Sequence, residues 1–262
     1  MHFAGFLWQT NYLILRICIV PVVKLLMGYR TSVYGSLPDT RPLFLAPVHR
    51  TSVDIYAIAD VTNEFVTYVS TDTYGHNRVA NWAQKVLTKA LGSVVWQESG
   101  LANGRARAVA LTRDVDYRID NGMIVGFFAQ GEYQPDSVES IEPGLFGLLQ
   151  RYSSRTALPL RFGNEVTVVP VGLSYDGKGK GLAQSRFADF LNKYIPLFPH
   201  WSVPARNTHV KVSFGAPRQF GGEDVGDFTA RIMIEAARLS DIPYNVSAVP
   251  EADAKPSDSN AT

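Results

Sequence analysis

Apolar residues in this chain come in short blocks of alternating type, separated by polar turns. "RPLFLAPV" (Arg41–Val48) is a continuous apolar run and reads as a buried strand. "TSVDIYAIADV" follows and reads as a helix opening on Thr51 or Ser52 as cap. "EFVTYVST" (Glu64–Thr71) is β-branched and aromatic, as a strand should be. In "NRVANWAQKVLTKALG" the apolar positions Val79, Trp82, Ala83, Val86, Leu87, Ala90 and Leu91 keep helical spacing, and Gly92 ends the helix. "SVVWQ" is a short strand, "ANGRARAVALTRDVDYRIDNG" a helix closed by Asn121-Gly122, and "MIVGFFAQG" a strand running into a loop. "PGLFGLLQRYSSRT" then reads as a helix and "EVTVVPVGLSY" as a strand. Pro170 inside that strand predicts either an edge position or the strand's functional end. "HVKVSFGAPRQF" is a last strand and "DVGDFTARIMIEAARLSDI" a last amphipathic helix. The alternation predicts an α/β layered fold, a mostly parallel central sheet flanked by helices. No repeat of 20–50 residues breaks it.

The first thirty residues follow a different rule. "FAGFLWQTNYLILRICIVPVVKLLMGYR" is strongly apolar but is interrupted by Arg16, Pro21 and Lys24. A spanning helix needs about 20 apolar residues with few or no charges. A cleavable signal peptide needs a basic start and a small-residue cleavage site. Neither pattern is met. Two short helices meeting near Pro21 are expected instead. Trp8, Tyr12 and Tyr29 suit the headgroup level of a membrane, and Arg16, Lys24 and Arg30 suit its phosphates. A membrane-docking segment over residues 1–30 is therefore expected, with packing on the protein's own core or a single tilted anchor as the alternatives. Residues 31–246 form the catalytic-size domain, and the polar stretch 247–262 is expected to be disordered.

Composition narrows the classes. The 262 residues are 46% hydrophobic and 19% charged, enough for one large core. A net charge of +1 offers no electrostatic case for nucleic acid as a partner. The single cysteine, Cys18, excludes an intramolecular disulfide and a cysteine-based zinc cluster. "DGKGKG" (Asp176–Gly181) lacks the spacing of a phosphate loop, and no G-x-S-x-G elbow occurs. His76, His200 and His209 read as loop, surface or strand-edge residues, and no metal site is expected.

The chemistry concentrates at "LAPVHRTSVD". On one helix, residues five apart sit about 140° apart, so His49 and Asp54 could not meet. They can meet if His49 ends the strand and Asp54 lies in the first turn of the next helix. A carboxylate on one ring nitrogen then fixes the tautomer and leaves the other nitrogen free to take a proton.

This turn resembles the H-x-x-x-x-D block of the PlsC-type glycerolipid acyltransferases. "GFFAQGEYQ" lies where that family carries its Phe-Pro-Glu-Gly-Thr-Arg loop, and "VVPVGLSY" where it carries a Val/Ile-Pro-Val strand. "EPGLFGLL" is similar to the helix after the glycine loop, and "VKVSFGAP" to a late strand; the order holds from about Leu43 to Pro217. The N-terminal segment also resembles the docking element of bacterial members.

The resemblance implies transfer of a fatty acyl group from acyl-CoA or acyl-carrier protein to a lipid hydroxyl. His49 would be the general base and Asp54 its orienting partner. Arg50, Ser52, Gln130, Gly131, Glu132, Tyr133 and Pro170 would stand on the substrate side. No cofactor beyond the acyl co-substrate is implied, and the expected location is peripheral or monotopic on the cytoplasmic face of a membrane. Two departures bear on the acceptor. Gln130 stands at the family's Glu and Tyr133 at its arginine, while a second arginine position falls on Gln97 or Glu98. A carboxylate cannot replace a guanidinium fork on a phosphate. A shifted register would give the carboxylate role to Glu132, and Arg50, Arg105 or Arg107 are the candidate replacement cations. A lipid-binding protein with lost chemistry on the same fold is the alternative.

Overall fold

The computed structural model describes residues 10–51, 53–71, 82, 93–96, 104–131, 133–142, 166–176, 204, 207–221 and 223–246. The expectations for Ser52, His76, Gln97, Glu98, Glu132, His200, the glycine-lysine turn, the helix after Glu142 and the C-terminal tail lie outside the described residues, as does nearly all of the helix around Trp82.

The described elements are a helix α1 (Val20–Met27), β1 (Arg30–Tyr34), β2 (Leu43–Pro47), α2 (Asp54–Val61), β3 (Val66–Thr71), β4 (Val94–Trp96), α3 (Gly104–Asp120), β5 (Ile124–Gly126), β6 (Val166–Asp176), β7 (His209–Phe214), β8 (Arg218–Phe220) and α4 (Val225–Leu239). The strands join in one sheet in the order β1-β7-β6-β2-β5-β3-β4, with β8 also pairing β6. β6 runs antiparallel to β7 and β8, and every other pairing is parallel.

β2 is buried on both faces, which is why its sequence "LFLAP" reads as an unbroken apolar run. The pleat still divides it. Phe44 and Ala46 join one core with Val125, Val168 and the α4 residues Phe228, Ile232 and Met233. Leu43 and Leu45 join the opposite core with Val53 and, from α2, Ala57 and Ile58. The sheet is thus the middle of three layers. α4 lies so close to β6 that a Cβ on Gly172 would collide with the main chain of Leu239, so only glycine fits there. That approach puts Ser240 beside Leu173, whose N–H donates to the Ser240 hydroxyl at 2.9 Å.

Three expectations change, and one strand is new. Residue 10 to Met27 is one continuous helical path rather than two helices broken near Pro21. A π-helical turn, Leu15–Ile19, precedes α1, and Pro21 falls in α1's first turn, as expected of a proline opening the second helix. Pro170 is neither at an edge nor at a strand end. It pairs with Ala46 inside the sheet, between the stretch of β6 held by β8 (166–168) and the stretch held by β7 (171–176). Its carbonyl accepts from Gly215 N–H on that side, so its absent donor faces the gap where one partner strand gives way to the other. The stretch read as one last strand is two, β7 and β8, separated by residues 215–217. Finally, the polar stretch "RTSVY" is an edge strand, β1, parallel to β7.

Candidate active site

The site is assembled where β2 ends. Val48 N–H still bonds Val171 O of β6, and His49 is the first residue beyond that pairing. Its own main chain is clamped by the loop after β5. Gln130 Oε1 accepts from His49 N–H, and Gln134 N–H donates to His49 O at 2.8 Å. The chain then enters α2, which begins at Asp54. A carboxylate in the first turn of a helix sits favourably at the positive end of the helix dipole.

His49 Nδ1 lies 2.9 Å from Asp54 Oδ2. Arg50 N–H and Thr51 N–H donate to the same oxygen at 2.6 and 2.8 Å. Oδ1 accepts from the Thr51 hydroxyl at 3.0 Å and from the Tyr175 hydroxyl. Asp54 is fully buried, yet donors converge on both of its oxygens, so its desolvation is compensated. Among these donors it can only accept, so in the neutral imidazole the proton sits on Nδ1 and the Nε2 lone pair is the free one. No described residue bonds Nε2. The ring lies between two aromatic side chains, Phe128 stacked at 3.8 Å and Tyr133 tilted at 4.1 Å. The Nε2 edge is where a substrate hydroxyl would have to meet the ring. Tyr68 continues the stack behind Phe128 at 5.6 Å. Its ring can lie there because residue 126 is glycine, whose Cβ would press into it. A mostly covered base walled by aromatic rings works in a medium that strengthens polar interactions.

The remaining expected site residues take other places. Arg50 does not face an acceptor. It is buried, with Nε donating to Pro135 O at 2.6 Å and Nη1 to Leu173 O at 3.0 Å and Ser240 O at 3.4 Å. Burial lowers its pKa, opposed by Tyr175 and Asp54. The guanidinium joins the loop, β6 and the end of α4, which is a structural duty. Gln130 is buried behind His49 and also reaches Gln134 Oε1 at 3.4 Å. Gly131 has φ of +73°, and a Cβ there would meet the Glu142 carboxyl at 2.7 Å. Tyr133 is at the histidine, as a ring rather than a cation. Pro170 is buried in the sheet and stands as close neighbour to Gly215, so the sheet and not the site occupies it. The side chains of Arg105 and Arg107 lie outside the described residues.

Sequence reasoning passed over Thr51 as a ligand of Asp54, and over Phe128, Gln134 and Tyr175 altogether. One signal for Tyr175 exists. β2 and β6 pair Pro47 with Val171, and the same offset carried four residues on sets Thr51 beside Tyr175, their hydroxyls 2.8 Å apart.

No protein-family model matches the chain, and no curated protein does. Among solved structures, the crystal structure of the 1-acyl-sn-glycerophosphate (LPA) acyltransferase PlsC from Thermotoga maritima is similar, with a TM-score of 0.52 and 16% sequence identity. The likeness covers 90% of this chain and 78% of that one. Identity this low speaks for architecture alone, and in that sense the chain has the fold of a PlsC acyltransferase.

Proposed function

We propose that the protein is an O-acyltransferase of membrane surfaces, moving a fatty acyl group from acyl-CoA or acyl-carrier protein to a lipid hydroxyl of a lysophospholipid or glycolipid. The observation that carries this reading is the His49–Asp54 pair, held by the turn between β2 and α2 on a PlsC-like fold. His49 Nε2 takes the acceptor's hydroxyl proton as the oxygen attacks the thioester carbonyl. Asp54 keeps the ring oriented and stabilises the imidazolium that forms. The C–S bond breaks, and the departing thiolate takes the proton back from His49. No covalent enzyme intermediate is required. The developing oxyanion requires hydrogen-bond donors as well.

A surface location is supported by the helical path before β1. One side of it packs through Tyr12, Leu15 and Val20 against Ala59 of α2. The other side leaves Leu13, Ile14, Ile17, Val22 and Leu25 exposed, Leu25 at 77%. Singly exposed apolar residues are common, but five on one short helical path fit an interfacial anchor. No helix among the described residues is long and apolar enough to cross a membrane.

The loop that clamps His49 sets the Tyr133 ring beside it, with Gln130 buried behind and Arg50 turned inward, so an uncharged headgroup is the better fit. The test is an acceptor screen with purified protein, labelled acyl-CoA or acyl-carrier protein, and mass-spectrometric identification of the product. Acylation of uncharged hydroxyl lipids over lysophosphatidate is expected. Strong preference for lysophosphatidate overturns the acceptor assignment, and no acylated lipid with either donor leaves a lipid-binding protein on this fold.

A further inference from the structure

Three of the donors to Asp54 other than His49 belong to its own turn: Arg50 N–H, Thr51 N–H and the Thr51 hydroxyl. These groups move with the turn and cannot by themselves register it against the sheet. A carboxylate's last torsion is also soft and roughly two-fold, so which oxygen meets the imidazole, and in what plane, depends on what holds the other oxygen. Among the described residues, one donor to Asp54 comes from another element. It is the Tyr175 hydroxyl, at the end of β6.

We infer that Tyr175 is a positioning residue of the His49–Asp54 pair, anchoring Asp54 Oδ1 to the sheet so that Oδ2 is presented to the histidine ring. This rests on the acyltransferase reading for its consequence in catalysis, but not for its geometry.

The tyrosine is itself well fixed. Its ring lies under the Arg50 guanidinium, 5.3 Å from the ring centre. That guanidinium is tied to the carbonyls of Pro135, Leu173 and Ser240. Burial and the neighbouring Asp54 push the Tyr175 hydroxyl well above the usual tyrosine range, so it stays protonated and donates. The protons can be counted. Tyr175 gives its one proton to Asp54. Thr51 gives its one proton either to Asp54 or to the Tyr175 oxygen. In both arrangements the Tyr175 proton stays directed at the carboxylate. A tyrosine serving only to fill space would need neither the hydroxyl nor its alignment.

The test reads the ring directly. Long-range 1H–15N spectra of histidine-labelled protein report which nitrogen carries the proton, and His49→Gln identifies the His49 signals. The wild type is expected to show His49 as the Nδ1–H tautomer. Tyr175→Phe keeps the ring beneath Arg50 and removes only the oxygen; it is expected to give a mixed tautomer, with the other four histidine signals unchanged. Tyr175→Met, a second hydroxyl-free variant, should do the same. In acyl transfer, Tyr175→Phe should lower kcat about tenfold with KM for the acyl donor unchanged. An unaltered Nδ1–H signature in both Tyr175 variants overturns the inference. A wild type that transfers no acyl group but shows this tautomer response sinks the acyltransferase reading and leaves the positioning role standing.

Discussion

α2 carries an aspartate near each end, and the two are held in opposite ways. Asp54 opens the helix, is fully buried and gathers donors from His49, Arg50, Thr51 and Tyr175. Asp60, one residue before the helix ends, meets Lys24 of α1 at 2.6 Å and the Thr31 hydroxyl of β1, with 21% of its side chain exposed. The first is fixed by hydrogen bonds that water cannot replace, so its geometry is stiff. The second is a partly exposed ion pair that water and salt can replace. The inward end of α2 is built to orient a ring, and the outward end to fasten the N-terminal helical path to the domain.

The sharpest way to break this contrast is at Asp54. In Asp54→Asn, the amide must either donate toward His49, forcing the wrong tautomer, or point its hydrogens at N–H and O–H groups that already donate. Acyl transfer is expected to fall about a thousandfold, read as kcat/KM with the protein still folded by circular dichroism. A loss under tenfold would show that the buried carboxylate does not orient the base.

The outward side is next. Burying a large apolar side chain is worth about 1.5–3 kcal/mol. Replacing both Ile17 and Leu25 by glutamate should therefore weaken vesicle binding at least about tenfold in co-sedimentation. Wild-type binding by that variant would move the membrane contact elsewhere. A smaller effect is expected at Asp60. Asp60→Asn should cost at most about 1 kcal/mol in urea unfolding and leave transfer from a soluble donor unchanged. A cost above about 3 kcal/mol would make the two ends of α2 equivalent.

The smallest effect belongs to a surface pair remote from both ends. Glu235 on α4 accepts from Arg238 at 2.7 and 2.9 Å, and that hydrogen bond lowers its pKa. A lowered folded-state value stabilises above the unfolded pKa and is lost as pH falls through the folded one. The melting-temperature difference between wild type and Arg238→Ala should thus be slight at neutral pH, vanish as pH drops below the ordinary glutamate value of 4.5, and shrink in salt. A difference that grows in acid would contradict the assigned sign.

The inner half of the comparison was largely legible in the sequence. "LFLAP" is a buried strand because both faces are covered. His49 and Asp54 could meet only across a strand-to-helix turn, and they do. Alternation says which face of β6 a residue takes but not the strand it pairs with, so Tyr175 could not be matched to Thr51 without the register. The edge rule for proline assumes a partner along the whole strand. β6 changes partner at Pro170, and the rule fails there. Adjacency to His49 made Arg50 look like a substrate cation, whereas in the fold its side chain reaches carbonyls 85, 123 and 190 residues away in sequence. The outer half was less legible. "RTSVY" has no apolar alternation because an edge strand has little to bury, and a π-turn let the helical path run past Pro21.

The most direct test of the central claim is single-turnover transfer of a labelled acyl group from acyl-CoA to a hydroxyl lipid by wild-type protein and by His49→Ala. Loss of transfer by about a thousandfold in the variant, with vesicle binding retained, is the predicted result. Equal rates in the two proteins would contradict His49 as the base.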